Sequence, residues 1–276
     1  AVWRGGCIAS GRTQGSDHDA IGGGNMPYGM YISAEGAAAQ SKRMEVLANN
    51  LANVDTPGFK RQFAVLQARH AEALLQGIES PGDGSLSDLG GGIEIPETLT
   101  DFSPGTLRKT DVPTDLAIEG DAMFIVENAD GEQMLTKAGN FRLTSEGELI
   151  TQEGDAVLSQ DLAPIQLLPG VPWTVSKNGM IHQGASQVAL GLMKPEFVAD
   201  LIPAGDNLFR PLAAPQPAAP EERQVISGFL ELSSVKPTTE MMQMIEASRA
   251  FESNVRLIQH QDQAIGNLLS RVLRQS

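Results

Sequence analysis

Four histidines, His18, His70, His182 and His260, are the obvious metal ligands and general bases in the chain, but they share no spacing that would set two of them on one face of an element. Surface or packing roles account for them better. The carboxylates Glu146, Glu148, Glu153 and Asp155 are the residue types needed for paired acid and base chemistry, or for holding a cation. They cluster around the turn glycines Gly147 and Gly154, where solvated acidic residues are common, and that reading is preferred. Met241, Met242 and Met244 suggest a soft-metal or promiscuous groove, yet at helical spacing with Ile245 and Phe251 they fit core filling better. Cys7 is the single cysteine and has no internal disulfide partner; Gly5 and Gly6 before it suggest a lipid-attachment site, but the apolar segment such a site needs is missing. No Gly-x-Ser-x-Gly elbow, phosphate-cradling Gly-x-x-x-x-Gly-Lys, His-Glu-x-x-His or calcium loop occurs. No catalytic residue, cofactor or metal is expected, and the chain is read as a non-enzyme.

Composition narrows the partners. Acidic residues outnumber basic ones 34 to 20, a formal net charge of −14 that repels nucleic-acid phosphates and anionic membranes. No uninterrupted apolar run is long enough to cross a bilayer, so neither nucleic-acid binding nor direct membrane insertion is expected. Val2 to Ala20 lacks the basic-then-apolar pattern of a cleavable secretory signal.

Where chemistry is thin, periodicity is strong. From about Thr239 to Arg274, seven-residue spacing aligns Met244, Phe251, Ile258, Ile265 and Val272 on one line, and Met241, Ser248, Val255, Asp262 and Leu269 on another. A helix of that length is about 54 Å long and needs a long partner. A candidate lies between Met30 and Val54, where Ala37, Met44, Leu47, Leu51 and Val54 repeat the spacing. Pairing of the two as a coiled coil is expected, weakened by Ser248 and Asp262.

The fold class expected is therefore mainly β with α, an α+β chain whose central antiparallel β domain is flanked by long N- and C-terminal helices. Residues 1–26 read as a disordered leader. Residues 27–60 hold the first helix, N-capped near Ser33, and a sharp Asn-rich turn through Pro57 and Gly58. Residues 61–94 read as a short helix, Phe63 to Leu75, and a Gly-rich linker. Residues 95–232 form the β domain, with short runs such as Leu116 to Ile118, Met123 to Val126 and Met134 to Thr136 divided by turn pairs such as Glu119-Gly120 and Asp130-Gly131. Within it, the Pro/Ala stretch 211–220 reads as linker or surface loop. Residues 233–276 are the final helix, with Pro237 and Thr238 as its entry and cap.

Three blocks then point to a family. Ala48-Asn49-Asn50-Leu51-Ala52-Asn53 with Thr56-Pro57-Gly58-Phe59-Lys60 resembles the N-terminal signature of the bacterial flagellar rod and hook proteins. Asp115 to Gly120 with Phe124, Thr136-Lys137-Ala138-Gly139-Asn140-Phe141 and Gly147 to Thr151 resemble its central block. Leu230 to Val235 and Glu240 to Glu252 resemble its C-terminal block, and the modest size of the middle is closer to a rod than to a hook subunit.

The resemblance implies a structural subunit of the basal-body rod that polymerises through its terminal helices, transmits torque from motor to hook and is needed for motility. It implies export by the flagellum's own type III apparatus without a cleaved signal, a place in the rod where it crosses the periplasm, and other copies and related rod and hook proteins as partners. Self-assembly is expected to rest on Met44, Leu47, Asn49, Asn50, Leu51, Asn53, Pro57, Gly58 and Phe59, and on Met244, Phe251, Val255, Ile258, Ile265 and Leu269. The rival classes are a secreted β-domain hydrolase or carbohydrate-binding module oligomerised by its helices, and an export chaperone or adaptor that forms discrete dimers.

Overall fold

The computed structural model describes residues 28–69, 92–95, 97–219 and 223–274. Among the described residues the chain is mostly β, with two α-helices, α1 (Tyr28–Ala52) and α2 (Pro237–Leu273), packed against each other. Among the described residues every strand pair is antiparallel. The expected leader, and the expected linker from residue 70 to 91, lie outside the described residues.

The largest sheet, nine strands among the described residues, is built around Met123–Glu127, which pairs with Gln133–Thr136, Ala156–Val157 and Leu192–Lys194. Alternation along that strand divides the core. Phe124 and Val126 enter one cluster with Leu116, Phe141, Leu167 and Ile181, where Phe124 and Phe141 meet edge to face at 4.9 Å. Met123 and Ile125 enter the other with Leu135, Leu158 and Phe209, against which Phe102 stacks at 5.0 Å.

Two return strands tie the C-terminal segment to the front of this domain: Gln224–Ser227 pairs with Leu116–Glu119, and Phe229–Glu231 with Leu107–Lys109. The N-terminal segment is tied nearby, with Arg61–Ala64 on Thr98–Asp101 and Gln67–Arg69 on Gly92–Glu94. These strands replace the helix expected from Phe63 to Leu75 as far as Arg69; residues 70–75 lie outside the described residues. Sheet pairing has overridden a weak amphipathic pattern there.

Three further expectations are corrected. Helix α1 already runs at Tyr28, and Ser33 sits inside it, its hydroxyl donating to the Gly29 carbonyl at 2.9 Å instead of capping the helix. Lys236, in extended conformation and without a side-chain cap bond, is the N-cap of α2 ahead of Pro237, so Thr238 lies within the helix. The Pro/Ala stretch is partly built in, since Gln216–Pro217 pairs with Met193 and Lys194 and Ala218 is 2% exposed. No helix of the described residues is long and apolar enough to cross a membrane.

Candidate functional site

The residues singled out near Asn50 converge on one place, the joint where α1, the first β strand, the C-terminal return and α2 meet. After Ala52 the chain reverses through Thr56 to Phe59, with the Phe59 N–H donating to the Thr56 carbonyl at 3.3 Å. Gly58 sits at φ +70°, and a Cβ there would stand 2.5 Å from the Ala138 nitrogen, so glycine is required by both conformation and space. The turn is held from two sides: Gly58 N–H donates to Glu231 O at 2.8 Å, and Asn207 Nδ2 donates to Pro57 O at 2.9 Å. Asn207 reaches it from a hairpin tip where Asp206 and Asn207 both take positive φ, a conformation their residue types tolerate.

The asparagines have separate tasks. Asn50 is fully buried and brackets the backbone of Gln62, giving Nδ2 to Gln62 O at 2.6 Å and taking Gln62 N–H on Oδ1 at 2.9 Å. Its Nδ2 also reaches Glu240 Oε2 at 3.1 Å, across to α2. Asn49 is exposed and donates to Gln62 Oε1 at 3.2 Å, while Asn53 gives Nδ2 to Asn49 Oδ1 and takes the Thr56 hydroxyl on Oδ1. The amides form a chain that stiffens the end of α1.

Charges that the sequence reading did not single out hold the joint shut. Glu240 is fully buried in the first turn of α2, where a carboxylate suits the helix dipole, and accepts from Arg61 Nε at 2.7 Å. Lys60 and Glu231, with 2% and 4% of their side chains exposed, form a second pair at 2.6 Å; Glu231 Oε1 also takes the Gly105 N–H at 2.7 Å, and Lys60 Nζ donates to Ser103 O at 3.1 Å. Lys137 is the second buried cation among the described residues, 5% exposed, and its Nζ donates to Gly120 O. Burial holds its pKa down to about 8, with Lys60 adding to the depression and Glu231 and Asp121 opposing it. At the edge of the joint, the hydroxyl and N–H of Ser103 hold the Asp101 carboxyl below its ordinary range.

The helix pair leaves the joint antiparallel, with contacts at seven-residue intervals. Asn50 meets Glu240, Gly36 faces Asn254 and Gly29 faces Gln261, each glycine placed so that a Cβ would come within 3.1 and 3.0 Å of the opposing amide nitrogen. Ala247, on the same line of α2, is fully buried. The line joined to Met244, Phe251, Ile258 and Ile265 is therefore Glu240, Ala247, Asn254 and Gln261, and the expected second line is displaced. Met241, Asp262 and Leu269 of that line are exposed, Leu269 at 58%, while Ser248 and Val255 are half-buried. Met244, Phe251, Ile258 and Ile265 are half-buried; Val272, placed on the first line, is 66% exposed. On α1, Leu47 is buried and Met44 and Leu51 are half-buried, while beyond its end Phe59 is buried in the joint.

The carboxylates around Gly147 and Gly154 do not converge on a site: Glu146 and Glu153 are exposed, and Asp155 accepts from the Thr151 hydroxyl. Among the described residues no three His, Cys, Asp or Glu side chains are placed to hold a metal. The joint ties the helix pair to the first β strand through Asn50, Arg61 and Glu240.

Comparison with known proteins agrees with the three blocks. Residues 30–60 match the model of the flagella basal body rod protein family, residues 117–183 the D1 domain of flagellar hook protein FlgE/F/G, and residues 226–271 the C-terminal model of flagellar basal body rod FlgEFG proteins. The chain is 32% identical over 237 residues to the flagellar basal-body rod protein FlgF of Caulobacter vibrioides, covering 84% of this chain and 93% of that protein. It is also 32% identical over 257 residues to FlgG of the same organism, covering 84% and 95%. With FlgF of Rhizobium meliloti the identity is 35% over 231 residues, covering 83% and 90%.

Proposed function

The chain belongs to the flagellar basal-body rod proteins, and on that premise we propose that it is a structural subunit of the rod, which self-assembles through its terminal helices and transmits torque toward the hook. The observation that carries this reading is the apolar surface left on α2. Met241, Met242, Ile245, Leu268, Leu269, Val272 and Leu273 are each more than half exposed in a single copy. Helices that pair with neighbours as well as with each other cover such residues, and the seven-residue spacing of the α1–α2 contacts supports reading the pair as a coiled coil. Met44, Leu47 and Leu51 with Met244, Phe251, Val255, Ile258, Ile265 and Leu269 then form the pairing surfaces, and Asn49, Asn50, Asn53, Pro57, Gly58 and Phe59 set the angle of the pair.

Export through the flagellar type III apparatus, a position in the rod across the periplasm and contacts with related rod and hook proteins belong to the same proposal. The relatives are named as rod proteins, which lends no support to a hydrolase or carbohydrate-binding role. The test is Phe251→Asp and Ile258→Asp in the full chain. The expected result is loss of high-molecular-weight assemblies on sedimentation with the β domain still folded. Normal assembly by both variants would remove the helices from the mechanism.

A further inference from the structure

The β domain carries an apolar knob and an apolar cavity. The knob is the loop from Leu168 to Pro172, in which Leu168 is 63% and Val171 39% exposed. Exposed apolar loops are ordinarily loose, but this one is clamped. Gln183, 5% exposed, takes the Leu168 N–H on Oε1 at 2.7 Å and gives Nε2 to the carbonyls of Leu168 and Val171 at 2.8 and 3.1 Å. A buried carboxamide with all three bonds on one loop makes the knob rigid before any partner arrives, which lowers the ordering cost of a contact.

The cavity has a volume of about 370 Å³ and an apolar wall that includes Phe102, Leu107, Met123 and Val198. Val198 is 47% exposed at its rim, and Phe197 beside it is 62% exposed. Knob and cavity draw mainly on different core clusters, although Ile118 of the knob's cluster also lines the cavity. Leu167, which leads into the knob, packs in the cluster with Phe124 and Val126, whereas Met123 and Phe102 belong to the other cluster.

Charge selects the guest. Lys60 is paired with Glu231, Lys194 lies 4.0 Å from Asp121, and Lys137 donates to a carbonyl, while Glu119 and Glu196 in the lining are exposed. An acidic guest would meet carboxylates, and acidic residues outnumber basic ones 34 to 20 in this chain. The knob lies in a run, residues 162–176, that has no charged side chain in a chain of net charge −14. We propose that the Leu168–Val171 knob of one copy seats in the Phe102–Met123–Val198 cavity of the next, a heterologous contact between β domains that adds to the helix pairing. A contact between two different patches leaves a free knob and a free cavity at the two ends of every pair, and where its rotation does not close into a ring it extends a filament. The proposal rests on the rod-subunit reading.

The test is a charge swap across the contact in the full chain, Leu168→Glu and Val198→Lys, both at exposed positions. Each variant alone should raise the concentration needed for assembly by at least about tenfold. An equimolar mixture should restore it, because each copy then offers a matching knob or cavity to its neighbour. A disulfide readout keeps the test decisive if a charge variant folds poorly. In a Cys7→Ser background, Leu168→Cys and Val198→Cys in one chain should give a ladder of linked copies on oxidation, against no more than dimers from either single cysteine. Assembly of the wild-type chain with unaltered charge variants, or without a ladder, overturns the knob contact and leaves the rod reading standing. Failure of the wild-type chain to assemble at all overturns both.

Discussion

Glu240 is the residue on which the helix pair and the β domain depend together, and Glu240→Ala is the sharpest perturbation of the joint. Its carboxylate is fully buried, with Arg61 Nε at 2.7 Å on one oxygen and Asn50 Nδ2 at 3.1 Å on the other. Removing one member of a buried ion pair costs about 3–5 kcal/mol, because the remaining charge is left without a partner. Arg61 keeps 26% of its side chain exposed and is within 3.3 Å of Gln243 Oε1, so water and that amide recover part of the loss. The expected destabilisation is therefore about 2–3 kcal/mol, below the full buried-pair range. Asn50→Ala removes the bracket on Gln62 as well as the bond to Glu240, and should cost a similar amount, about 2 kcal/mol. Because both changes break one network, the double variant should fall short of additivity by about 1 kcal/mol or more. Denaturant unfolding followed by circular dichroism for the helices, and by Trp173 fluorescence in a Trp3→Phe background for the β domain, measures both. A Glu240→Ala variant within about 0.5 kcal/mol of wild type, or a strictly additive double variant, would refute the claim that this buried network holds the joint.

Gly58→Val should cost about 2–3 kcal/mol from backbone strain alone, with more from the contact at Ala138, and should reduce motility when it replaces the native residue; an unchanged melting temperature would remove the positive-φ argument. Asn207→Ala withdraws the bond to Pro57 O and places alanine at φ +60°, so a loss of about 2 kcal/mol is expected in chemical denaturation. Lys137 has a folded pKa of about 8 against an ordinary value of 10.5, so between those values the unfolded chain holds more protons than the folded one and stability rises with pH. The full rise is on the order of 3 kcal/mol, and Lys137→Met should abolish it while raising stability at neutral pH; a pH slope unaffected by the substitution would contradict the assignment.

Local signals were readable to different depths. Strands around Leu116, Met123 and Leu149 show in the sequence because apolar runs alternate with glycine turns, a pattern set by neighbours a few residues apart. The line Met244, Phe251, Ile258 and Ile265 shows because it is apolar. The companion line is hidden because it is made of Glu240, Ala247, Asn254 and Gln261, which look like a solvated face; on α1, Gly29 and Gly36 make room for Gln261 and Asn254, and Asn50 bonds Glu240. The same holds for the buried charges. Arg61 and Glu240 lie 179 residues apart and Lys60 and Glu231 171 apart, and nothing in the spacing of either segment announces the other. Asn49, Asn50 and Asn53 attracted attention as a cluster, but which of them is buried depends on Gln62 and Glu240, and so on tertiary structure.

Assembly itself is the central claim, and electron microscopy of the concentrated full chain tests it most directly. The account predicts filaments that lengthen with concentration. Particles that remain single copies or discrete dimers at every concentration would contradict it.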